Sequence, residues 1–324
     1  MKQCGLFRIL FLVMGLAWPA LASAEYPDHS IKVIVAWPPG GATDIVGRLL
    51  ADRLALSLKQ AVVVENRPGA NGNIGTEGFV KMPPDGYALQ IATAESLGIN
   101  PHVYKKLGYD AERDFDVIAL LAQTSFVLAV KSSLSVKDVQ SFIALAKSEP
   151  GKTTLGNYGI GSTSHLTAAA FELASGAKVL HVPYRGLSPV INALLTGEID
   201  AAFVSANSAV GLQQSGQLKI LGAASANRLP LVPDVPTFTE QGMAGFTGGN
   251  WYGVVAPKGL APDVKKRLVE EVQKIAHSDS FIQKAVASSL EMRYLEADAF
   301  ADFLRAERAK WGEIVAKEEI QVGQ

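Results

Sequence analysis

The sequence predicts an α/β protein of two lobes, built from mostly parallel sheets with flanking helices. Three observations predict it. Short β-branched runs alternate with helical patterns along most of the chain. A glycine-rich turn joins a strand candidate to a helix candidate in each half. The chain has 324 residues, 48% of them hydrophobic, enough for two ordinary cores.

The first strand candidate is 31–36, where Ile31, Val33, Ile34 and Val35 form a buried type of run. A turn leads to a helix at 45–58, with apolar residues at 45, 46, 49, 50 and 54 on one face. Strand candidates follow at 61–64, 87–93 and 126–130, then a helix at 136–147 after Ser135. A short strand at 153–155 leads through a glycine loop to a helix at 166–173 after Ser164. Strands are expected at 179–182, 201–204, 220–224 and 252–256, and helices at 261–277 and 297–315. The proline-rich stretch 229–236 reads as a stiff surface connector before the glycine-rich 242–249. The expected division puts 25–123 and 245–324 in one lobe and 124–244 in the other. Two crossings between them would act as a hinge.

Residues 1–24 read as a cleaved secretory signal peptide. Lys2 and Arg8 flank the start of an apolar stretch at 9–17, and Ala22-Ser23-Ala24 forms a small-x-small cleavage site before Glu25. The stretch is too short to span a bilayer, and a buried N-terminal helix is the alternative. The sole cysteine, Cys4, would leave with it, so no disulfide or lipid attachment is expected afterwards. Removing Lys2 and Arg8 from 30 basic residues leaves 28 against 31 acidic ones, a formal charge of −3. With no basic run, that balance argues against nucleic acid and against an anionic membrane surface.

The stretch Ala36-Trp37-Pro38-Pro39-Gly40-Gly41-Ala42-Thr43-Asp44 carries the first candidate site. Pro38 and Pro39 stiffen the turn, Gly40 and Gly41 allow positive φ, and Thr43 or Asp44 can cap the helix. Free N–H groups at such a terminus suit an anion, though an ordinary strand-to-helix turn has the same composition. The second candidate is Gly156-Asn157-Tyr158-Gly159-Ile160-Gly161-Ser162-Thr163-Ser164-His165. Its glycine spacing is wrong for a dinucleotide fingerprint and no P-loop lysine follows, so no cofactor is expected. A plain capped turn remains the alternative there too. Neither loop holds Lys or Arg. A bound carboxylate would meet N–H groups, hydroxyls, water and helix dipoles, each dipole adding about 0.3–1 kcal/mol. Arg185, in the loop after 179–182, is the nearest cation, or else a solvated loop residue.

A rival reading is a secreted serine hydrolase. Ala94-Glu95-Ser96-Leu97-Gly98 follows a strand as a nucleophile elbow does, with Asp200 and His277 in the required order. His277 sits in a charged helical pattern, so no base can be assigned to Ser96. The five histidines, at 29, 102, 165, 181 and 277, include no i, i+4 pair, so no metal site is expected. Lys265-Lys266-Arg267 and Glu270-Glu271 read as a solvated helix face.

The first loop resembles the signature of the Bug (TctC-like) solute-binding proteins of tripartite tricarboxylate transporters. The similarity continues through Val64-Glu65-Asn66-Arg67-Pro68-Gly69-Ala70-Asn71-Gly72, Pro84-Asp85-Gly86-Tyr87 and Asn100-Pro101-His102-Val103-Tyr104. It resumes at Gly161-Ser162-Thr163-Ser164-His165-Leu166, His181-Val182-Pro183-Tyr184-Arg185-Gly186, Leu231-Val232-Pro233-Asp234-Val235-Pro236-Thr237, Trp251-Tyr252-Gly253 and Ala256-Pro257. The resemblance implies a Venus-flytrap fold in the periplasm and a small carboxylate ligand, such as a dicarboxylate, amino acid or aromatic acid. It implies that Trp37–Asp44 and Gly159–His165 grip the ligand from opposite lobes, partly through water, with Thr93 to Ser96 in the cleft wall. It further implies a membrane transporter as partner, with a sensor protein as another candidate, and a monomer. Many relatives carry an acid after the phenylalanine matching Phe203; Val204-Ser205 stands here, which disfavours an amino-acid ligand and makes Ser205 a candidate contact. Trp37 and Trp251 are candidates to line an aromatic-acid pocket, although packing is the commoner role of such residues.

Overall fold

The computed structural model describes residues 26–322, so the signal-peptide reading of 1–24 lies outside the described residues. In chain order the elements are β1 (Ile31–Val35), α1 (Ala42–Leu58), β2 (Val62–Asn66), α2 (Asn73–Val80), β3 (Ala88–Thr93), a π-helical turn (Glu95–Ile99), α3 (Asn100–Val103) and β4 (Phe115–Lys131). Next come α4 (Val139–Ser148), β5 (Thr154–Asn157), α5 (Thr163–Ser175), β6 (Leu180–Pro183), α6 (Leu187–Thr196), β7 (Ala201–Ser205), α7 (Ala206–Gln214) and β8 (Leu218–Ala223). The chain closes with β9 (Gly249–Pro257), α8 (Pro262–Ala276), α9 (Asp279–Ala287), β10 (Glu291–Glu296) and α10 (Ala297–Lys317).

Strand alternation builds the first lobe. Ile31, Val33 and Val35 point to one face and meet Val46, Leu50 and Leu54 of α1 and Leu268 and Val272 of α8. Ile34 points to the other face, with Phe79, Leu97, Phe300, Leu304 and Trp311. β1 pairs in parallel with β2 and β3. The second lobe repeats the plan: Phe126, Leu128 and Val130 pack on Phe142, Phe171, Phe203 and Phe238, while Val127 and Ala129 face Val190, Leu194 and Ala209. Here β5 pairs in parallel with β6 and β7.

β4 joins the lobes. Residues Phe115 to Ser125 pair with β9, whereas Phe126 to Lys131 pair with β7 and β8. The return crossing lies beside it, with Gly249 opposite Ser125. The sheet is therefore mixed: the antiparallel ladders all involve β4 or β9, the strands that run through the crossings. A Cβ on Gly249, whose φ is +156°, would stand 2.0 Å from the Thr124 carbonyl oxygen, so only glycine lets the two crossings touch.

Several boundaries differ from the sequence expectation. The strand expected at 126–130 begins at Phe115, because residues 118–122 are buried on both faces and show no alternation. Ser135 does not start α4: Asp138 caps it through Ser141 N at 2.7 Å, in a capping box. β10 was not expected; it is a charged edge strand antiparallel to β4. The connector at 229–236 is not merely on the surface, since Leu229, Val232 and Val235 are buried in the second lobe.

Candidate functional site

The loops after β1, β3 and β5 leave the carboxyl ends of their strands, where α/β sheets present ligand sites. Between β1 and α1, Gly40 adopts φ +87° and reverses the chain. Gly41 then serves as the N-cap in an extended conformation, with φ −81° and ψ 170°, and no side-chain cap. The expected capping by Thr43 or Asp44 is not what happens. α1 begins at Ala42, which places both inside its first turn, and Asp44 instead ties the loop together. Its carboxylate accepts from Gly40 N, Arg48 Nε and Asn66 Nδ2, each at 2.9 Å. Burial would raise the Asp44 carboxyl, yet these donors hold it below the usual range. Asn66 also donates to the Trp37 carbonyl at 3.1 Å. The preorganised loop thus leaves the first-turn N–H groups of α1 without a capping side chain.

At the end of β3, Ser96 Oγ accepts from Thr93 N at 3.0 Å and donates to Thr93 O at 3.1 Å, closing its own turn. The Thr93 hydroxyl is buried with no partner. Glu95 begins the π-helical turn and is 3% exposed. Its Oε1 accepts from Thr163 Oγ1 at 2.9 Å and Thr163 N at 3.3 Å, and its Oε2 accepts from Asn250 Nδ2 at 2.9 Å. These bonds set the end of β3 against the start of α5 and fix both to the return crossing.

The β5–α5 loop satisfies itself. Ser162, not Ser164, is the N-cap of α5. Ser162 Oγ accepts from His165 N at 3.3 Å and donates to Gly159 O at 2.7 Å, while Ser164 Oγ accepts from Tyr158 N at 2.9 Å. Gly161 N donates to His165 Nδ1 at 3.2 Å. Burial, helped by neighbouring His181, pushes the His165 imidazole down to about 4, so at neutral pH it is an acceptor and not a cation. Two polar ends of the loop stay free: Asn157 Nδ2 is buried and unpartnered, and Tyr158 OH lies near the Ser205 main chain without a hydrogen bond of normal geometry.

The structure thus brings Thr93, Ser96 and Thr163 to one region through Glu95, while Asn71 Nδ2 approaches the Ile160 carbonyl at 3.5 Å. Arg185 is exposed and follows Tyr184, whose N–H bonds to Asn157 O. Ser205 stands at the N-cap position of α7 without a side-chain capping bond, and its hydroxyl donates to Ser208 Oγ at 3.3 Å. Trp251 is buried against Phe300 and Phe303, with Nε1 donating to Glu307 at 3.1 Å, and it lines a cavity together with Asn250 and Lys310. Trp37 is half-buried beside Gly72.

The hydrolase constellation is not assembled. Asp200 pairs with Lys131 at 2.6 Å and accepts from Thr154. His277 is exposed at the end of α8, bonded to Gln273 O. Among the described residues no group of three or more metal-ligating side chains converges. Sequence reasoning held Glu95 only as part of the 93–96 segment and Asn157 and Tyr158 only as part of the 156–165 loop, and it did not mark Asn250. Glu95 had a signal, being an acid just after the uncharged, buried strand β3; Asn250 had none.

The geometry has counterparts among known proteins. A family model described as tripartite tricarboxylate transporter family receptor matches residues 46–320. Protein BugT of Bordetella pertussis is 30% identical over 308 residues, covering 95% of this chain and 94% of its own length. The solved structure of R. palustris Rpa4515 with adipate has a TM-score of 0.81 at 29% identity, covering 91% of this chain and 99% of that one. The periplasmic binding protein BugD gives 0.78 at 30% identity, with the same two coverages.

Proposed function

The chain belongs to the tripartite tricarboxylate transporter receptor family, and from that premise we propose that it is a periplasmic receptor closing around a small organic carboxylate. The lobes are 25–123 with 245–324, and 124–244, and the crossings at 124–125 and 248–250 are the hinge. Export through a cleaved signal at 1–24 and delivery of the ligand to a tripartite membrane transporter complete the reading.

The observation that carries the proposal is the pairing of an uncapped α1 terminus with buried polar atoms that lack partners. First-turn N–H groups without a cap seek an anion. Thr93 Oγ1 and Asn157 Nδ2, each on a residue 1% exposed, are orphaned groups that a bound polar molecule or its water would satisfy. One carboxylate oxygen pair would rest on the N–H groups after Gly41, with Thr43 beside it. Asn157, Tyr158 and exposed Arg185 would receive the rest of the ligand from the other lobe. The adipate held by Rpa4515 supports an organic acid as the ligand class.

Closure is a hinge motion that the ligand drives by binding the closed form better than the open one. Micromolar affinity, about 8 kcal/mol, is expected. A thermal-shift screen of mono-, di- and aromatic carboxylates tests the proposal. At a hundred times its dissociation constant a true ligand adds about 2.7 kcal/mol of stability. A panel in which no acid raises the melting temperature would refute it.

A further inference from the structure

The two helix termini of the cleft are not equivalent. That of α1 has no capping side chain. That of α5 already holds a carboxylate: Glu95 Oε1 takes both the main-chain N–H and the hydroxyl of Thr163, the first residue of the helix. The other Glu95 partner is the neutral amide of Asn250. All three are neutral donors. His165, four positions before the middle of the same helix, is a neutral acceptor and adds no positive charge. The start of α5 is therefore already occupied by a carboxyl group of the protein itself.

We infer that Glu95 sets the charge of the ligand: it occupies the α5 terminus as a built-in carboxylate, so the cleft accepts acids with one anionic group in preference to dicarboxylates. The inference rests on the receptor reading and narrows its ligand class. A second ligand carboxylate reaching from α1 towards α5 would find its donors taken and a like charge beside them. For like charges about 6–12 Å apart at an effective dielectric near 20, that repulsion weakens binding by roughly tenfold to a hundredfold. A neutral or ammonium-bearing tail pays no such penalty, and an ammonium would gain from Glu95 Oε2, which has an accepting lone pair left beyond its Asn250 bond. The same acid compensates for Val204-Ser205, where the sequence offers no carboxylate to an amine.

Isothermal titration of matched pairs tests this: butanoate against succinate, and hexanoate and 6-aminohexanoate against adipate. Wild-type protein is expected to bind the better singly anionic member at least about tenfold tighter than the diacid of equal length. Glu95→Gln and Glu95→Ala are expected to shrink that ratio by about tenfold, with melting checked to show that each variant folds. Equal or tighter diacid binding by the wild type, or an unchanged ratio in the folded variants, overturns the inference. The wild-type ratio alone decides should neither variant fold. If no acid binds wild type or variant, the receptor reading falls instead.

Discussion

Substituting Gly41 by Val separates folding from binding at the α1 terminus. The backbone there is extended, with φ −81° and ψ 170°, a conformation that suits a β-branched residue. A Cβ at this position meets only the Pro38 carbonyl oxygen, at 4.0 Å. By contrast, a Cβ on Gly47, one turn into α1, would lie 2.8 Å from Val35 Cγ2. Stability should hold or rise by about 0.4–1 kcal/mol, because valine restricts the unfolded chain. Binding should suffer, since the branched side chain stands beside the N–H groups that take the carboxylate. Losing one hydrogen bond to a charged group costs about 1.5–3 kcal/mol, a factor of roughly ten to a hundred. Differential scanning fluorimetry and titration calorimetry read the two effects separately. At a hundred wild-type dissociation constants the ligand adds about 2.7 kcal/mol to the wild type, but about 0.9 kcal/mol to a variant thirtyfold weaker. A well-folded Gly41→Val with wild-type affinity would refute the placement of the carboxylate, and gross unfolding would refute the steric reasoning.

Three further outcomes are expected. Folding stability should fall as pH drops from about 6.5 to 4, by up to about 1.4 kcal/mol per unit for each proton. Burial holds His165 down to about 4 and also lowers His102, so the unfolded chain binds more protons in that window; Glu172 and Asp200, lowered by their partners, act below it. Chemical denaturation of His165→Gln at pH 7 and pH 5 should show a flatter dependence than the wild type, and an equal slope would contradict the assignment. Gly249→Ala should cost at least about 2 kcal/mol by forcing apart the two crossings, seen as a melting temperature lower by about 4 °C or more. Ser96→Ala should lose about 1 kcal/mol of turn stability and leave ligand affinity within roughly threefold; loss of a measurable esterase activity in that variant would instead revive the hydrolase reading.

Local chemistry made much of the scaffold readable. The β-branched run at 31–35 and the apolar face of 45–58 follow short-range periodicity, and both elements stand where expected. The part of β4 before Phe126 was hidden because a strand buried on both faces loses the alternation that marks it. β10 was hidden for the opposite reason, as the charges of Glu291, Arg293 and Glu296 suit a solvated loop until β4 supplies a partner. In the site, glycine spacing exposed both loops, but not which hydroxyls would be consumed internally. Ser162 and Ser164 spend theirs on Gly159 and Tyr158. Glu95 and Thr163 are 68 positions apart, and Glu95 and Asn250 155 apart. Only the fold brings such groups together.

The central claim is that the ligand's carboxylate rests on the open first turn of α1 while Glu95 keeps the seat at α5. A crystal structure of the protein saturated with its tightest-binding acid measures this directly. The account predicts carboxylate oxygens within hydrogen-bond distance of the Ala42 or Thr43 N–H, with Glu95 still bonded to Thr163. A ligand carboxylate that displaces Glu95 from Thr163, or one bound outside the space between the two loops, would contradict it.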